Sequence, residues 1–148
     1  MKRILYPPHW VAILLAGEVL VNRVLPMRNI IPDRGRWAGL FIMALGIGIA
    51  GWAAALFRRH NTGLKPFTES IAVVETGPYR FSRNPMYLGM ALLLLGVAIL
   101  LGSVTPLAAP IAFVLIIQFR FIIPEEAHME RSMGAAYLAF KQRVRRWI

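Results

Sequence analysis

The sequence predicts an all-α integral membrane protein with about four transmembrane helices, including a C-terminal helical hairpin, and an amphipathic cytoplasmic helix after it. Hydrophobic residues make up 57% of the chain, and several long runs contain no charged residue. The mean hydropathy is +0.57, well above what an ordinary soluble domain needs. We therefore expect residues 1–148 to form a single membrane domain.

The first two predicted spans are residues 8–25 and 37–57. A helix that crosses the apolar core of a bilayer needs roughly 20 mostly apolar residues, and residues 37–57 carry no charge. The earlier segment contains Glu18, so we expect it to be tilted, short or partly interfacial. The same glutamate disfavours a cleaved signal peptide. Small residues in the second span predict a helix-packing face: Ala44, Gly46, Gly48, Gly51 and Ala55.

The remaining two spans form the predicted hairpin. The uncharged run from Met86 to Phe119 would make a helix of about 51 Å at 1.5 Å per residue, which is longer than one bilayer crossing. Gly102 and Pro106 disfavour a continuous helix near the middle of this run. We therefore predict spans at residues 84–101 and 106–123, joined by a tight turn.

The chain is strongly basic, with 17 Lys or Arg against 7 Asp or Glu and a net charge of +10. Most basic residues lie between or after the apolar runs, which indicates contact with anionic membrane lipids rather than with nucleic acid. We predict an inner (plasma) membrane protein whose segments 58–83 and 141–146 face the cytoplasm. The arginines between the first two spans then face the other side of the membrane. This placement goes against the usual preference of basic loops for the cytoplasmic side. The absence of cysteine excludes disulfides and thiolate chemistry.

A polar cluster, GPYRFSRNPMY at residues 77–87, stands directly before the third span. Its composition also suits an aromatic and basic belt at the membrane interface. The predicted hairpin, however, returns the chain to the same side of the membrane, so this cluster should meet Glu125 and Glu126. Acidic residues are also common at helix starts, where they offset the dipole. Charged groups at membrane depth, Arg120 included, tend to face a protein interior or a wet cavity.

The tail after Pro124 predicts an amphipathic helix, because apolar residues recur every three or four positions up to Trp147 among charged neighbours. We expect this helix to lie on the membrane interface, to pack over the polar cluster, or to do both.

The polar cluster has side chains suited to S-adenosylmethionine. Arginine binds a carboxylate, glutamate accepts from an ammonium group or ribose hydroxyls, and tyrosine faces stabilise a cation. Methyl transfer from a sulfonium mainly requires that the nucleophile and the departing sulfur be aligned. We expect no metal site.

At these residues the chain resembles the isoprenylcysteine carboxyl methyltransferase family and its phospholipid methyltransferase relatives. The resemblance covers roughly residues 58–148 and rests on four ordered segments: Val73 to Tyr79, Arg83 to Tyr87, the pair Glu125-Glu126, and Gly134 to Tyr137. It implies an S-adenosyl-L-methionine site built from segments 71–87 and 120–137. The implied cofactor-binding residues are Val73, Val74, Tyr79, Arg83, Asn84, Pro85, Met86, Tyr87 and Glu125.

The chain departs from the family pattern at two positions. Asn84 stands where the family usually has histidine, which keeps a hydrogen-bonding side chain but removes a titratable one. The arginine often found four residues before the glutamates is Phe121 here, with Arg120 beside it. We hypothesise that Arg120 orients the methyl acceptor or pairs with one of the glutamates. Glu126 or His128 would remove a proton from an amine, thiol or hydroxyl acceptor, whereas a carboxylate acceptor needs no base.

The predicted partners are membrane lipids and a lipid-like or small apolar methyl acceptor that reaches the site laterally between helices. Two other functions stay open. An NADPH-dependent membrane reductase resembling the sterol reductases would need a nicotinamide site, yet no glycine-rich phosphate loop is visible. A non-enzymatic membrane adaptor would use the same polar cluster only to bind lipid headgroups.

Overall fold

The computed structural model describes residues 5–59 and 75–148, and in this part of the chain every regular element is helical. A segment of π-helix, Gln118–Ile122, joins α4 to α5 without a break. The helices, in chain order, are α1 (Pro7–Val24), α2 (Asp33–Arg59), α3 (Pro85–Leu101), α4 (Ala108–Ile117), α5 (Ile123–Met133) and α6 (Ala135–Arg143).

Two stretches of helix are long and apolar enough to cross a membrane. They are α2 and the continuous stretch Thr105–Met133, while α3 is apolar but shorter. By length and composition these stretches fit a membrane protein, and the described residues form an all-helical fold. The count of four spans stays a prediction.

The ends of the first three helices differ slightly from the predicted spans. Helix α2 extends to Asp33 and Arg59 because an acidic residue in its first turn and basic residues in its last turn both offset the helix dipole. Asn84 lies at the N-cap position instead of inside α3. Pro85, which is fully buried, suits the first helical position because its missing N–H group would be unpaired there anyway.

Helices α2 and α3 pack through paired glycines. A Cβ atom placed on Gly46 would lie 2.6 Å from the backbone oxygen of Gly89. Gly39 and Gly96 make the same kind of contact seven residues away along each helix. Residues spaced by seven stay on one side of a helix, and glycine lets two backbones approach closely. The two helices therefore run antiparallel in direct backbone contact.

The opposite side of α2 carries the other small residues of the predicted packing face. A Cβ at Gly48 or Gly51 would meet no atom of the described residues within 4 Å. Trp37 and Phe41 are also strongly exposed. Of the glycines predicted to pack, Gly46 packs against α3, whereas Gly48 and Gly51 contact no other element in residues 5–59 and 75–148.

The chain reverses direction between α3 and α4. Gly102 ends α3 with a φ of 81°, a left-handed conformation that costs glycine no side-chain clash. A 3₁₀ turn at Thr105–Leu107 then leads into α4, which packs against both α3 and α1. The hydroxyl of Ser103 donates to the side chain of Asn22, which ties this turn to the end of α1. The polar cluster lies at the other end of the helices.

The tail after Pro124 is not the single amphipathic helix that the sequence predicted. Helix α5 ends at Met133, Gly134 takes a φ of 54°, and α6 then begins at Ala135. The periodic apolar residues continue across this break, which is why the pattern did not reveal it. After α6 the backbone is extended at Val144. Residues 144–148, here called the strap, are not helical.

Candidate active site

The polar cluster folds as a 3₁₀ turn, Gly77–Arg80, followed by a bend and the first turn of α3. Tyr79 is only 3% exposed, and its ring centroid lies 5.1 Å from that of Phe57 on α2. Met86 packs against the apolar cluster that contains Tyr79. The Tyr79 hydroxyl has no hydrogen-bond partner among the described residues, and burial raises the pKa of this tyrosine. A buried hydroxyl without a partner is available to a ligand.

Tyr87 and Glu125 meet, although 38 positions separate them in the chain. The Tyr87 hydroxyl lies 3.0 Å and 3.2 Å from the two carboxylate oxygens of Glu125. The contact forms because α3 starts and α5 starts at the same end of the molecule. The structure thus brings together two residues that the sequence assigned to one site.

Glu126, in contrast, is bound by two arginines. Arg83 Nη2 lies 3.1 Å from Glu126 Oε1, and these two side chains are 8% and 7% exposed. Arg146 adds a two-point contact, with distances of 3.0 Å from Nε and 2.7 Å from Nη2 to the carboxylate. These contacts engage both carboxylate oxygens, which leaves fewer lone pairs to accept a proton from a substrate. The geometry therefore favours a structural role for Glu126 over proton removal.

Asn84 and its neighbours bond to the strap. The Asn84 side-chain amide donates to the backbone oxygen of Arg146 at 3.0 Å. The Ser82 hydroxyl donates to the same oxygen at 3.4 Å, and the backbone N–H of Arg83 donates to the oxygen of Arg145 at 2.9 Å. The strap thus occupies hydrogen-bonding groups of Arg83 and Asn84 that the sequence assigned to the cofactor.

Arg120 forms no ion pair with Glu125 or Glu126 among the described residues, and its role in orienting the methyl acceptor stays a prediction. Arg120 lies in the π segment and is exposed. Its neighbours Phe121 and Ile122 are fully buried in the apolar cluster that also contains Leu94 and Phe113, here called the helix core. A π segment inserts one extra residue per turn and changes the direction in which the following side chains point. Val73 and Val74 lie outside the described residues.

Three further residues shape this end of the molecule, and of these the sequence placed only Tyr137, through segment 120–137, in the site. Trp147 donates from its indole nitrogen to Gln118 at 2.8 Å, and its ring packs against the helix core. Tyr137 is buried beside the ion pairs, and burial together with Glu126 raises its pKa to about 12. The hydrogen bonds from Arg146 to Glu126 raise the pKa of Arg146. Only the aromatic character of Trp147 hinted at its role, and it equally suited a membrane-interface anchor.

Comparison with known proteins identifies the family. A model of the phospholipid methyltransferase family matches residues 35–136. An uncharacterized protein of Haemophilus influenzae is 38% identical over 63 residues, which are 43% of this chain and the whole of that protein. The solved structure of the eukaryotic intramembrane Ras methyltransferase, isoprenylcysteine carboxyl methyltransferase, superposes with a TM-score of 0.73 and 22% identity over 99% of this chain.

At that level of identity the likeness to the Ras methyltransferase is one of fold, and this chain spans 54% of the length of the solved chain. The family match establishes membership of a family and not only a shared fold, because it extends over more than half of this chain. It includes the polar cluster and both glutamates. The chain belongs to the phospholipid methyltransferase family, a family of membrane methyltransferases.

Proposed function

We propose that this protein transfers a methyl group from S-adenosylmethionine to an amphiphilic or apolar acceptor at the cytoplasmic interface of the membrane. The acceptor's reactive group is a carboxylate, an amine or a thiol. One observation carries the proposal: in a chain of a methyltransferase family, Tyr87 and Glu125 form a hydrogen-bonded pair where two apolar helices end.

The residues around this pair fit the cofactor. The Glu125 carboxylate accepts only the Tyr87 hydroxyl proton among the described residues, so lone pairs remain for an ammonium group or ribose hydroxyls. The hydroxyl of Tyr79 is buried without a partner. Tyr79, Met86, Tyr87 and Glu125 would therefore hold the cofactor.

The other proposed cofactor residues act differently. Arg83 and Asn84 would support the site through their bonds to Glu126 and the strap, and Pro85 would fix the start of α3. Val73 and Val74 keep their proposed place in the cofactor site on the resemblance alone.

Catalysis in this proposal is mainly positioning. The cofactor supplies an electrophilic methyl group on a sulfonium. Glu125 orients it by accepting hydrogen bonds, and the Tyr87 hydroxyl holds the carboxylate in place. Of the two candidate bases, His128 is the more available, since its Nε2 has no partner among the described residues, whereas Glu126 is bound by two arginines.

Arg120 is proposed to bind the polar group of the acceptor. It stands five positions before Glu125 in the chain, it is exposed, and it follows a long apolar stretch. A cation at the border of the membrane can reach headgroups while its apolar stem stays in the lipid. An acceptor moving laterally in the bilayer would meet Arg120 first, with the cofactor on the aqueous side.

Calorimetry on the purified, detergent-solubilised chain tests this function. S-adenosylhomocysteine should bind, and Glu125→Gln and Tyr87→Phe should each weaken binding by about 1 to 3 kcal/mol, the range for hydrogen bonds to charged groups. Binding of NADPH instead would support a reductase. Binding of neither, together with binding to lipid vesicles, would support an adaptor, and either result would overturn the proposal.

A further inference from the structure

The strap contacts the beginning of α3 through its main chain. Two consecutive carbonyl groups, those of Arg145 and Arg146, accept hydrogen bonds from the stretch Ser82 to Asn84. These bonds join positions that lie about sixty residues apart in the chain. Because Tyr87 lies less than one helical turn after Asn84, the strap fixes the segment from which Tyr87 projects.

The side chain of Arg146 reaches a second part of the molecule. Its guanidinium group makes two contacts with Glu126, at 3.0 Å and 2.7 Å, and a two-point contact of this kind fixes direction as well as distance. Glu126 directly follows Glu125, so the same strap residue that accepts from Asn84 also holds the first turn of α5.

Trp147 makes a third attachment. Its indole nitrogen donates to Gln118 at 2.8 Å, and Gln118 is the first residue of the π segment. The Trp147 ring packs on the same helix core as Tyr87. The strap is thereby joined to the start of α3, to the π segment and to α5 by three consecutive residues.

From these contacts we infer that Arg146 and Trp147 are positioning residues, which set the distance between Tyr87 and Glu125 and so the geometry of the cofactor site. The inference rests on the proposed function, because it concerns the same pair. Neither residue contacts Tyr87 or Glu125 through a hydrogen bond. Their effect is transmitted by Asn84, Glu126 and Gln118.

The chain offers a matched control for Arg146. Arg145 is its neighbour in the strap and carries the same charge, but its side chain is exposed and forms no ion pair among the described residues. Arg145→Ala and Arg146→Ala therefore remove the same charge from adjacent positions. Only Arg146→Ala removes a contact with a buried carboxylate.

The test is calorimetric titration of S-adenosylhomocysteine into purified full-length variants. Arg146→Ala should weaken the affinity roughly tenfold or more, as expected when a buried carboxylate loses a charged partner. Arg145→Ala should stay within about twofold of the unmodified protein. Free guanidinium at low millimolar concentration should restore part of the affinity of Arg146→Ala, an effect that a collapsed fold would not show.

Trp147→Phe provides a second variant that keeps an aromatic ring and removes only the indole donor. It should weaken the affinity by about threefold to tenfold. Combining it with Gln118→Leu should add little, because both changes remove the same hydrogen bond.

The outcomes separate the inference from the proposed function. If the unmodified protein binds no S-adenosylhomocysteine, both fall. If it binds, and Arg146→Ala matches Arg145→Ala, or guanidinium restores nothing, the strap inference falls while the proposed function stands. Equal affinities of Trp147→Phe and the unmodified protein would remove Trp147 from the positioning role.

Discussion

The polar end of the molecule and its helical interior each contain a buried glutamate, and the two glutamates differ in their hydrogen-bonding partners. At the polar end, Glu126 is bound by Arg83 and Arg146. In the interior, Glu18 on α1 is 3% exposed, yet neither of its carboxylate oxygens has a hydrogen-bond partner among the described residues. Paired buried charges are tolerated, whereas an unpaired buried polar group lowers stability.

This difference separates two ways of holding the fold together. The polar end is fixed by directional bonds between distant segments, each of which specifies a geometry. The interior is held by close backbone contact, as at Gly46 and Gly89, and by apolar side chains. Substitutions should therefore act through lost partners at the polar end and through shape in the interior.

The largest effect on stability is expected for Glu126→Gln. This change leaves the buried guanidinium of Arg83 without its charged partner, so the free energy of unfolding should fall by about 3 to 5 kcal/mol. Glu130→Gln is the matched control, since Glu130 pairs with Lys141 but both side chains are about one third exposed, and it should cost at most about 1 kcal/mol. Denaturation in detergent micelles measures both. Equal losses would show that the buried network adds nothing beyond a surface pair.

Gly46→Ala should have the next largest effect. The added Cβ would meet backbone atoms of α3 at 2.6 Å and 2.9 Å, and backbone cannot move aside as a flexible side chain can. We expect a loss of about 1 to 3 kcal/mol, the usual cost of overpacking. Gly48→Ala, on the open side of the same helix, should be neutral or stabilising by up to about 1 kcal/mol. If both variants unfold at the same denaturant concentration, the glycine contact is not what joins α2 to α3.

Much of this organisation could be predicted from the sequence, and the failures have physical causes. Long stretches without a charged residue predicted the helices. The turn signals at Gly102 predicted where the chain reverses. The meeting of Tyr87 with Glu125 followed from that reversal. The strap could not be predicted from the sequence. A basic residue such as Arg146 near the end of the tail is expected if it binds anionic lipid and equally expected if it binds Glu126. The break at Gly134 was hidden by apolar periodicity that continues on both sides.

Glu18→Leu should raise stability, in contrast to every change at the polar end. A buried carboxyl group without a hydrogen bond costs about 1 to 3 kcal/mol, and leucine of similar size removes that cost. The measurement is the unfolding midpoint in micelles, with Glu18→Gln as the comparison that keeps a polar group. A loss of stability in Glu18→Leu would mean that this carboxyl group has a partner, and the contrast with Glu126 would disappear.

Arg120→Ala should have the smallest effect on stability and the clearest effect on function. Arg120 is exposed and forms no ion pair among the described residues, so its loss should change the free energy of unfolding by no more than about 0.5 kcal/mol. The affinity for S-adenosylhomocysteine should also stay unchanged, because the contact that is lost is the one between Arg120 and the acceptor. Transfer of a labelled methyl group into a membrane lipid extract should fall by about tenfold or more, the scale of one charged hydrogen bond.

Arg131→Ala is the control for this last change, since Arg131 is an exposed arginine on the neighbouring helix α5 and should leave methyl transfer unaltered. If Arg120→Ala lowers cofactor affinity and stability together, Arg120 has a structural role. Its exposure then does not indicate that it binds the acceptor. If both variants transfer normally, Arg120 only reaches the headgroups. The acceptor must then be oriented by other groups at the polar end, because the buried hydroxyl of Tyr79 is already assigned to the cofactor.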